Sequence, residues 1–183
     1  VDPYGRVLKE SRIFTEAAHV GEVRLLTKRT PYSIFGDVIS KDKVRPFVIN
    51  EGFAKRFDDL ATVDTAKSNG STKISIFNAK PRTFPLDINM MEKHPLGSQA
   101  FIPITQTSFL VLVAPANNVP EIEKICAFIV PPGYGINYRA AVWHFPLIVL
   151  EESDFLVVDR KGSDENLEVH FFKGNTVTLE YKS

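Results

Sequence analysis

Apolar residues occur along this chain in short runs that are rich in valine, isoleucine and phenylalanine. Glycine, proline, asparagine or serine bounds these runs, and such segments are typical of β-strands. Many short strands at this spacing are typical of a sandwich or a barrel, so the pattern predicts an all-β fold. The predicted strands lie at residues 23–26, 74–77, 100–104, 109–114, 127–130, 147–150 and 155–159.

Helical patterns are few and short. Residues 120–125 begin with proline and carry acidic residues where a helix favours them, and residues 30–34 fit a single turn. We expect residues 1–20 to form an appended N-terminal segment, with a mixed helical pattern over residues 7–18. No internal repeat, low-complexity stretch or linker divides the sequence, so we expect one domain over residues 1–183.

Charge and cysteine content narrow the class of protein. Twenty-two basic residues balance twenty-two acidic ones, so no strong field favours nucleic acid or an anionic membrane. No apolar stretch approaches the roughly 20 residues of a membrane span, and no secretory signal is recognised. The single cysteine, Cys126, lies in an apolar run and is predicted to be a buried, unreactive thiol. We therefore expect a cytoplasmic protein that binds neither nucleic acid nor membranes.

The first candidate for chemistry is the histidine string around His94. Glu92, His94 and Gln99 have the spacing X-x-X-x4-X, at which cupins place their first three ligand positions, usually His, His and Glu. The first two positions alternate along a strand, so both side chains would face the interior of a barrel. This string predicts one wall of a cupin pocket.

A second histidine string ends at His144. The second cupin motif reads G-x5-P-x-G-x2-H, and Gly133 and His144 fit its ends, although Arg139 replaces the proline and Ala141 replaces the glycine. Two such motifs in the right order favour a cupin-like jelly-roll β-barrel with a few short helices. The alternative is a β-sandwich whose histidines lie in loops.

The four ligand positions could serve in two ways. Two histidines with a glutamate and a glutamine can hold a divalent metal ion with open coordination positions. The same side chains can instead transfer protons near neutral pH without a metal. The residues leave both possibilities open for Glu92, His94, Gln99 and His144.

An arginine would suit a small acid, because its planar fork binds a carboxylate through two hydrogen bonds. Arg56 and Arg139 are the candidates. For Arg56 the plain alternative is a surface ion pair with Asp58 or Asp59. Trp143 is expected to form a pocket wall or to belong to the core.

Five strings together resemble the ureidoglycolate lyase family. They read FGDVI, NxGxxxRFxDL, ExHPLGSQAFIP, NYxxxxWHxPL and DFxxxDRxGSD, and they begin at residues 35, 50, 92, 137 and 154. They occur in the order of the family, and the resemblance covers about residues 23–170. There are two departures: Asn78 stands where we would expect arginine, and Gln106 stands where the cupin motif expects glycine.

The resemblance implies a cupin-like β-barrel, commonly a homodimer, that cleaves ureidoglycolate to glyoxylate and urea late in allantoin breakdown. Some members are described as stimulated by a divalent metal such as nickel. We hypothesise that His94 and His144 share the acid and base roles, with Glu92 orienting the substrate or acting as base. The candidate substrate-binding residues are Gln99, Arg56, Arg139, Tyr138 and Trp143.

Three alternatives remain open at this point. The same barrel could carry a metal-dependent enzyme, such as a dioxygenase or an isomerase, that acts on another small acid. A cupin-like module could also bind a small acid as a sensor without turning it over. The third alternative is a hydrolase that releases ammonia from ureidoglycolate instead of urea.

Overall fold

The computed structural model describes residues 35–174 and 177–181. The strand predicted at residues 23–26, the turn at 30–34 and the N-terminal segment lie outside these residues. Within them, 3-10 turns cover Lys41–Lys43, Asn50–Gly52, Lys67–Asn69 and Ile122–Lys124. The described strands are β1 (Gly36–Ile39), β2 (Phe47–Ile49), β3 (Ala54–Arg56), β4 (Ser71–Ala79), β5 (Leu86–Ile88), β6 (Met90–Lys93), β7 (Gln99–Pro103), β8 (Phe109–Ala114), β9 (Cys126–Val130), β10 (Gly135–Tyr138), β11 (Trp143–His144), β12 (Ile148–Val149), β13 (Ser153–Lys161), β14 (Glu168–Phe171) and β15 (Val177–Leu179).

The strand predictions that fall within the described residues are confirmed. β8 has the predicted bounds, β4 and β13 extend beyond the predicted segments, and β12 is shorter than its segment. The helix predicted at residues 120–125 is a single 3-10 turn, because Glu121 and Ile125 are extended and β9 begins at once with Cys126. Of the helices that the structure describes, none is long and apolar enough to cross a membrane.

Two large antiparallel sheets form the body of the structure. One has the strand order β1-β10-β7-β13-β4, and the other has the order β12-β8-β11-β6-β14, with β9 added beside β8. Two small sheets pair β15 with β5 and β2 with β3. This arrangement confirms the prediction of an all-β, cupin-like fold with few helical residues.

The two large sheets face each other across a buried apolar core. Phe155 of β13 meets Phe109 of β8 edge to face, with ring centroids 5.1 Å apart. Alternate residues of β8 enter this core, and the others enter a second core behind the six-stranded sheet. β8 is therefore buried on both faces, which explains its unbroken apolar sequence.

Candidate active site

The two histidine strings meet on adjacent strands of the six-stranded sheet. β6 ends immediately before His94, and β11 places His144 directly opposite Glu92. The main-chain N–H of Ala141 donates to the main-chain oxygen of His94 over 2.9 Å. Ala141 has a φ of 65°, in the left-handed region where the cupin motif has glycine. The turn before β11 thus connects one string to the other.

Three side chains converge at this junction, and we call them the triad: Glu92, His94 and His144. The Nε2 atom of His144 lies 3.6 Å from Oε1 of Glu92, and the two imidazole centroids are 5.3 Å apart. One potential ligand atom from each residue lies within 4.8 Å of the other two. The structure therefore brings together three of the four ligand positions predicted from the sequence.

Main-chain carbonyl groups fix the tautomers of both histidines. Nδ1 of His94 lies 2.6 Å from the main-chain oxygen of Asn166, and Nδ1 of His144 lies 3.0 Å from that of Val142. A carbonyl oxygen only accepts, so each Nδ1 carries the hydrogen and donates it. Each Nε2 is left to face the interior of the site, and both Nε2 atoms are buried without a hydrogen-bond partner among the described residues.

Burial shifts the pKa values of Glu92 and His144 in opposite directions, toward the neutral form of each. Burial raises the pKa of the Glu92 carboxyl, and the nearby His94 offsets part of that shift. Burial, with a smaller contribution from His94, lowers the pKa of His144 to about 3, although the hydrogen bond to Val142 opposes this. At neutral pH His144 is therefore uncharged, so its 3.6 Å contact with Glu92 is not an ion pair.

The triad has the donor set of a divalent metal site. Two imidazole nitrogens and a carboxylate oxygen lie within 4.8 Å of one another, and neither nitrogen has a hydrogen-bond partner among the described residues. Histidines that ligate a metal generally donate their other N–H to a carbonyl or carboxylate, as both do here. A cation would relieve the clustering of acceptors, so the residues fit a metal that accepts nitrogen and oxygen ligands.

Tyr138 and Gln99 lie beside the triad on the facing sheet. The Tyr138 ring stacks on the His144 imidazole, with centroids 4.4 Å apart and planes 12° apart. Gln99 is the cross-strand partner of Tyr138. Nε2 of Gln99 donates to Oδ2 of Asp159 over 3.5 Å, so this hydrogen bond is directed toward the neighbouring strand β13.

Trp143 and the two candidate arginines lie elsewhere. The Trp143 ring belongs to the second core and lies under the Lys93 ammonium group, 4.5 Å from Nζ to the ring centroid. Arg56 is exposed, and its Nε lies 2.6 Å from Oδ1 of Asp58, which is the surface ion pair given above as the alternative to substrate binding. The Arg139 guanidinium is half exposed and lies 3.7 Å from Asp37. The structure does not bring these three into the triad, and their substrate-binding roles stay predictions.

Three further residues near the site were not among the candidate site residues predicted from the sequence, although Asp159 belongs to the string that begins at residue 154. The main-chain oxygen of Asn166 accepts the hydrogen bond from Nδ1 of His94. Asp159 and Lys73 lie beside Gln99 on the inner face of the five-stranded sheet. For Asp159 a signal existed, because strand alternation places it on the same face as the buried Phe155. Asn166 and Lys73 gave no such local signal.

Comparison with known proteins agrees with the family resemblance of the five sequence strings. The model of the family described as ureidoglycolate lyase matches residues 19–180. A ureidoglycolate lyase from Pseudomonas fluorescens (strain Pf0-1) is 48% identical over 149 residues, covering 81% of this chain and 89% of the relative. Another, from Pseudomonas paraeruginosa (strain DSM 24068 / PA7), is 46% identical over 152 residues, covering 82% of this chain and 89% of the relative. The chain therefore belongs to the ureidoglycolate lyase family.

Proposed function

We propose that this protein is a ureidoglycolate lyase that releases glyoxylate and urea, acting in the cytoplasm in the breakdown of allantoin and purines. The observation that carries the proposal is the buried convergence of Glu92, His94 and His144 in a chain of this family. The sensor and the other cupin enzymes are not favoured, because the family model and the relatives are those of ureidoglycolate lyases.

The reaction requires one proton to move between two atoms of the substrate. Ureidoglycolate carries a hydroxyl group and a ureido nitrogen on the same carbon. Removal of the hydroxyl proton lets the oxygen form the C=O bond of glyoxylate while the C–N bond breaks. The leaving nitrogen takes one proton and becomes urea. No water is consumed, so a single group that accepts and then returns the proton is sufficient.

Glu92 is the proton carrier in this proposal. Its raised pKa makes the carboxylate a stronger base than a solvated glutamate. Because the carboxyl is half-buried and lies against His144, a proton taken from the hydroxyl stays in the site until it reaches the leaving nitrogen. A positioned acid–base group of this kind contributes about 10²–10⁴-fold to a rate.

His144 presents a neutral acceptor atom to the substrate. Nε2 of His144 carries no proton at neutral pH, because the pKa of His144 is lowered to about 3. Its Nε2 therefore accepts, and the main-chain carbonyl on Nδ1 keeps that atom directed at Glu92. The residues of the triad would hold a divalent metal such as nickel, which would stabilise negative charge on the hydroxyl oxygen when bound.

The test is to incubate the purified protein with ureidoglycolate and measure urea, glyoxylate and ammonia separately. Samples treated with a chelator and samples resupplied with nickel are compared. We expect equal amounts of urea and glyoxylate, with no ammonia above the background. Ammonia released in step with glyoxylate would contradict the lyase and indicate the hydrolase.

We also propose a homodimer formed through the outer face of the five-stranded sheet. Ile74 and Ile76 on the edge strand β4 are 68% and 56% exposed, and the half-buried Leu156 and Val158 continue this apolar face on β13. Exposed apolar patches of this kind mark contact surfaces. We expect a dimer by light scattering and a monomer for Ile76→Lys; a monomeric wild type would contradict this interface.

A further inference from the structure

A row of polar side chains crosses the inner face of the five-stranded sheet beside the triad. Tyr138, which stacks on His144, pairs with Gln99. Nε2 of Gln99 lies 3.5 Å from Oδ2 of Asp159, and Nζ of Lys73 on the edge strand lies 3.4 Å from the same oxygen. The next row along the same strands is mostly apolar and buried. The polar row therefore begins at the triad and ends at the sheet edge.

Asp159 is the member of this row whose side chain has an unsatisfied hydrogen-bond acceptor. Its side chain is only 15% exposed, and its Oδ1 is buried with no hydrogen-bond partner among the described residues. A buried carboxylate oxygen without a donor is unfavourable, so such a group calls for an explanation. A ligand that brings N–H groups to this oxygen would satisfy it.

We infer that Asp159, with Gln99 and Lys73, forms a subsite for the ureido group of the substrate; this inference rests on the proposed function. The ureido group offers N–H donors and one carbonyl acceptor. Asp159 accepts from the N–H groups, and the Lys73 ammonium donates to the carbonyl. Asp159 repels the carboxylate at the other end of the substrate, so that carboxylate lies outside the ureido subsite.

Lys73 also provides the way into the subsite. Oδ1 of Asp159 and the two Nε2 atoms of the triad are all closed off from solvent. The Lys73 side chain is 45% exposed and belongs to β4, which ends the sheet. In this proposal the substrate enters from the sheet edge when the Lys73 side chain moves outward.

The test measures the binding of two probes by titration calorimetry under the same metal conditions. N-Carbamoylglycine is ureidoglycolate without its hydroxyl group, and glyoxylate lacks the ureido group. We expect Asp159→Asn to weaken N-carbamoylglycine about 10- to 100-fold, which corresponds to one charged hydrogen bond, and to change glyoxylate less than about twofold. Asp154→Asn is the matched control, because Asp154 lies on the same strand but bonds Asn78 on the outer face.

A second variant keeps the test decisive if Asp159→Asn does not fold. Lys73→Met removes the half-exposed ammonium group but keeps most of the side-chain length. It should weaken the binding of N-carbamoylglycine at least about threefold and leave the binding of glyoxylate unchanged. Equal effects on both probes, or no effect on either, would overturn the subsite while urea release by the wild type still supports the lyase. A wild type that neither binds N-carbamoylglycine nor releases urea would overturn both proposals.

Discussion

Replacing Asn166 with alanine should loosen the support of His94. Oδ1 of Asn166 accepts the main-chain N–H of Leu96 over 2.7 Å, while its main-chain oxygen accepts from His94. The substitution leaves that main-chain oxygen in place but frees the loop that carries it. A net hydrogen bond contributes about 0.5–1.5 kcal/mol, so we expect the free energy of unfolding to fall by about 1 kcal/mol. For a domain of this size, Tm then falls by about 2–4 °C.

The effect on activity should exceed the effect on stability. Partners that orient ligating or catalytic histidines typically change metal affinity or activity by about 10- to 100-fold when they are lost. We therefore expect kcat/KM for urea release to fall about tenfold in Asn166→Ala. Asn166→Asp keeps an oxygen that can accept from Leu96, so it should retain most of both properties. Full activity in the alanine variant, or an equal loss in the aspartate variant, would refute this account.

Four further outcomes follow from the structure. His144→Ala should lose most urea-forming activity, whereas His170→Ala, a histidine outside the triad, should retain it. In metal-free protein, the unfolded chain binds a proton at His144 near pH 6.5 but the folded chain does so only near pH 3. Stability should therefore fall as the pH drops through this window, by up to about 1.4 kcal/mol per pH unit, and His144→Ala should show a shallower slope in chemical denaturation. Ala141→Gly should raise the free energy of unfolding by about 0.5–1 kcal/mol, because glycine accepts a φ of 65° without strain; a loss of stability would contradict this. The pKa of the buried Cys126 thiol is raised by burial, so thiol reagents should label it only after unfolding, and rapid labelling of the native protein would be the contrary result.

Much of the fold and the centre of the site could be predicted from the sequence. Short runs of β-branched and aromatic residues predicted strands because the preference of these residues for strands is a local property. The alternation of buried and exposed residues along a strand also becomes visible within a few residues. The same alternation placed Glu92 and His94 on one face of a strand, and the structure brings both to His144. The sequence also predicted the buried thiol of Cys126.

The rest of the site depends on contacts between residues that are far apart along the chain. Asp159 meets Gln99 because β13 pairs with β7, and Asn166 meets His94 because its loop returns beside β6. Trp143 faces away from the site, although it precedes His144, because neighbours in a strand point to opposite faces. Which strands become neighbours is decided by packing of the whole core, and this packing joins segments that are far apart along the chain. The sequence by itself therefore determined six of the described strands and the candidate residues of the triad. Only the tertiary structure decided which of these candidates meet and what surrounds them.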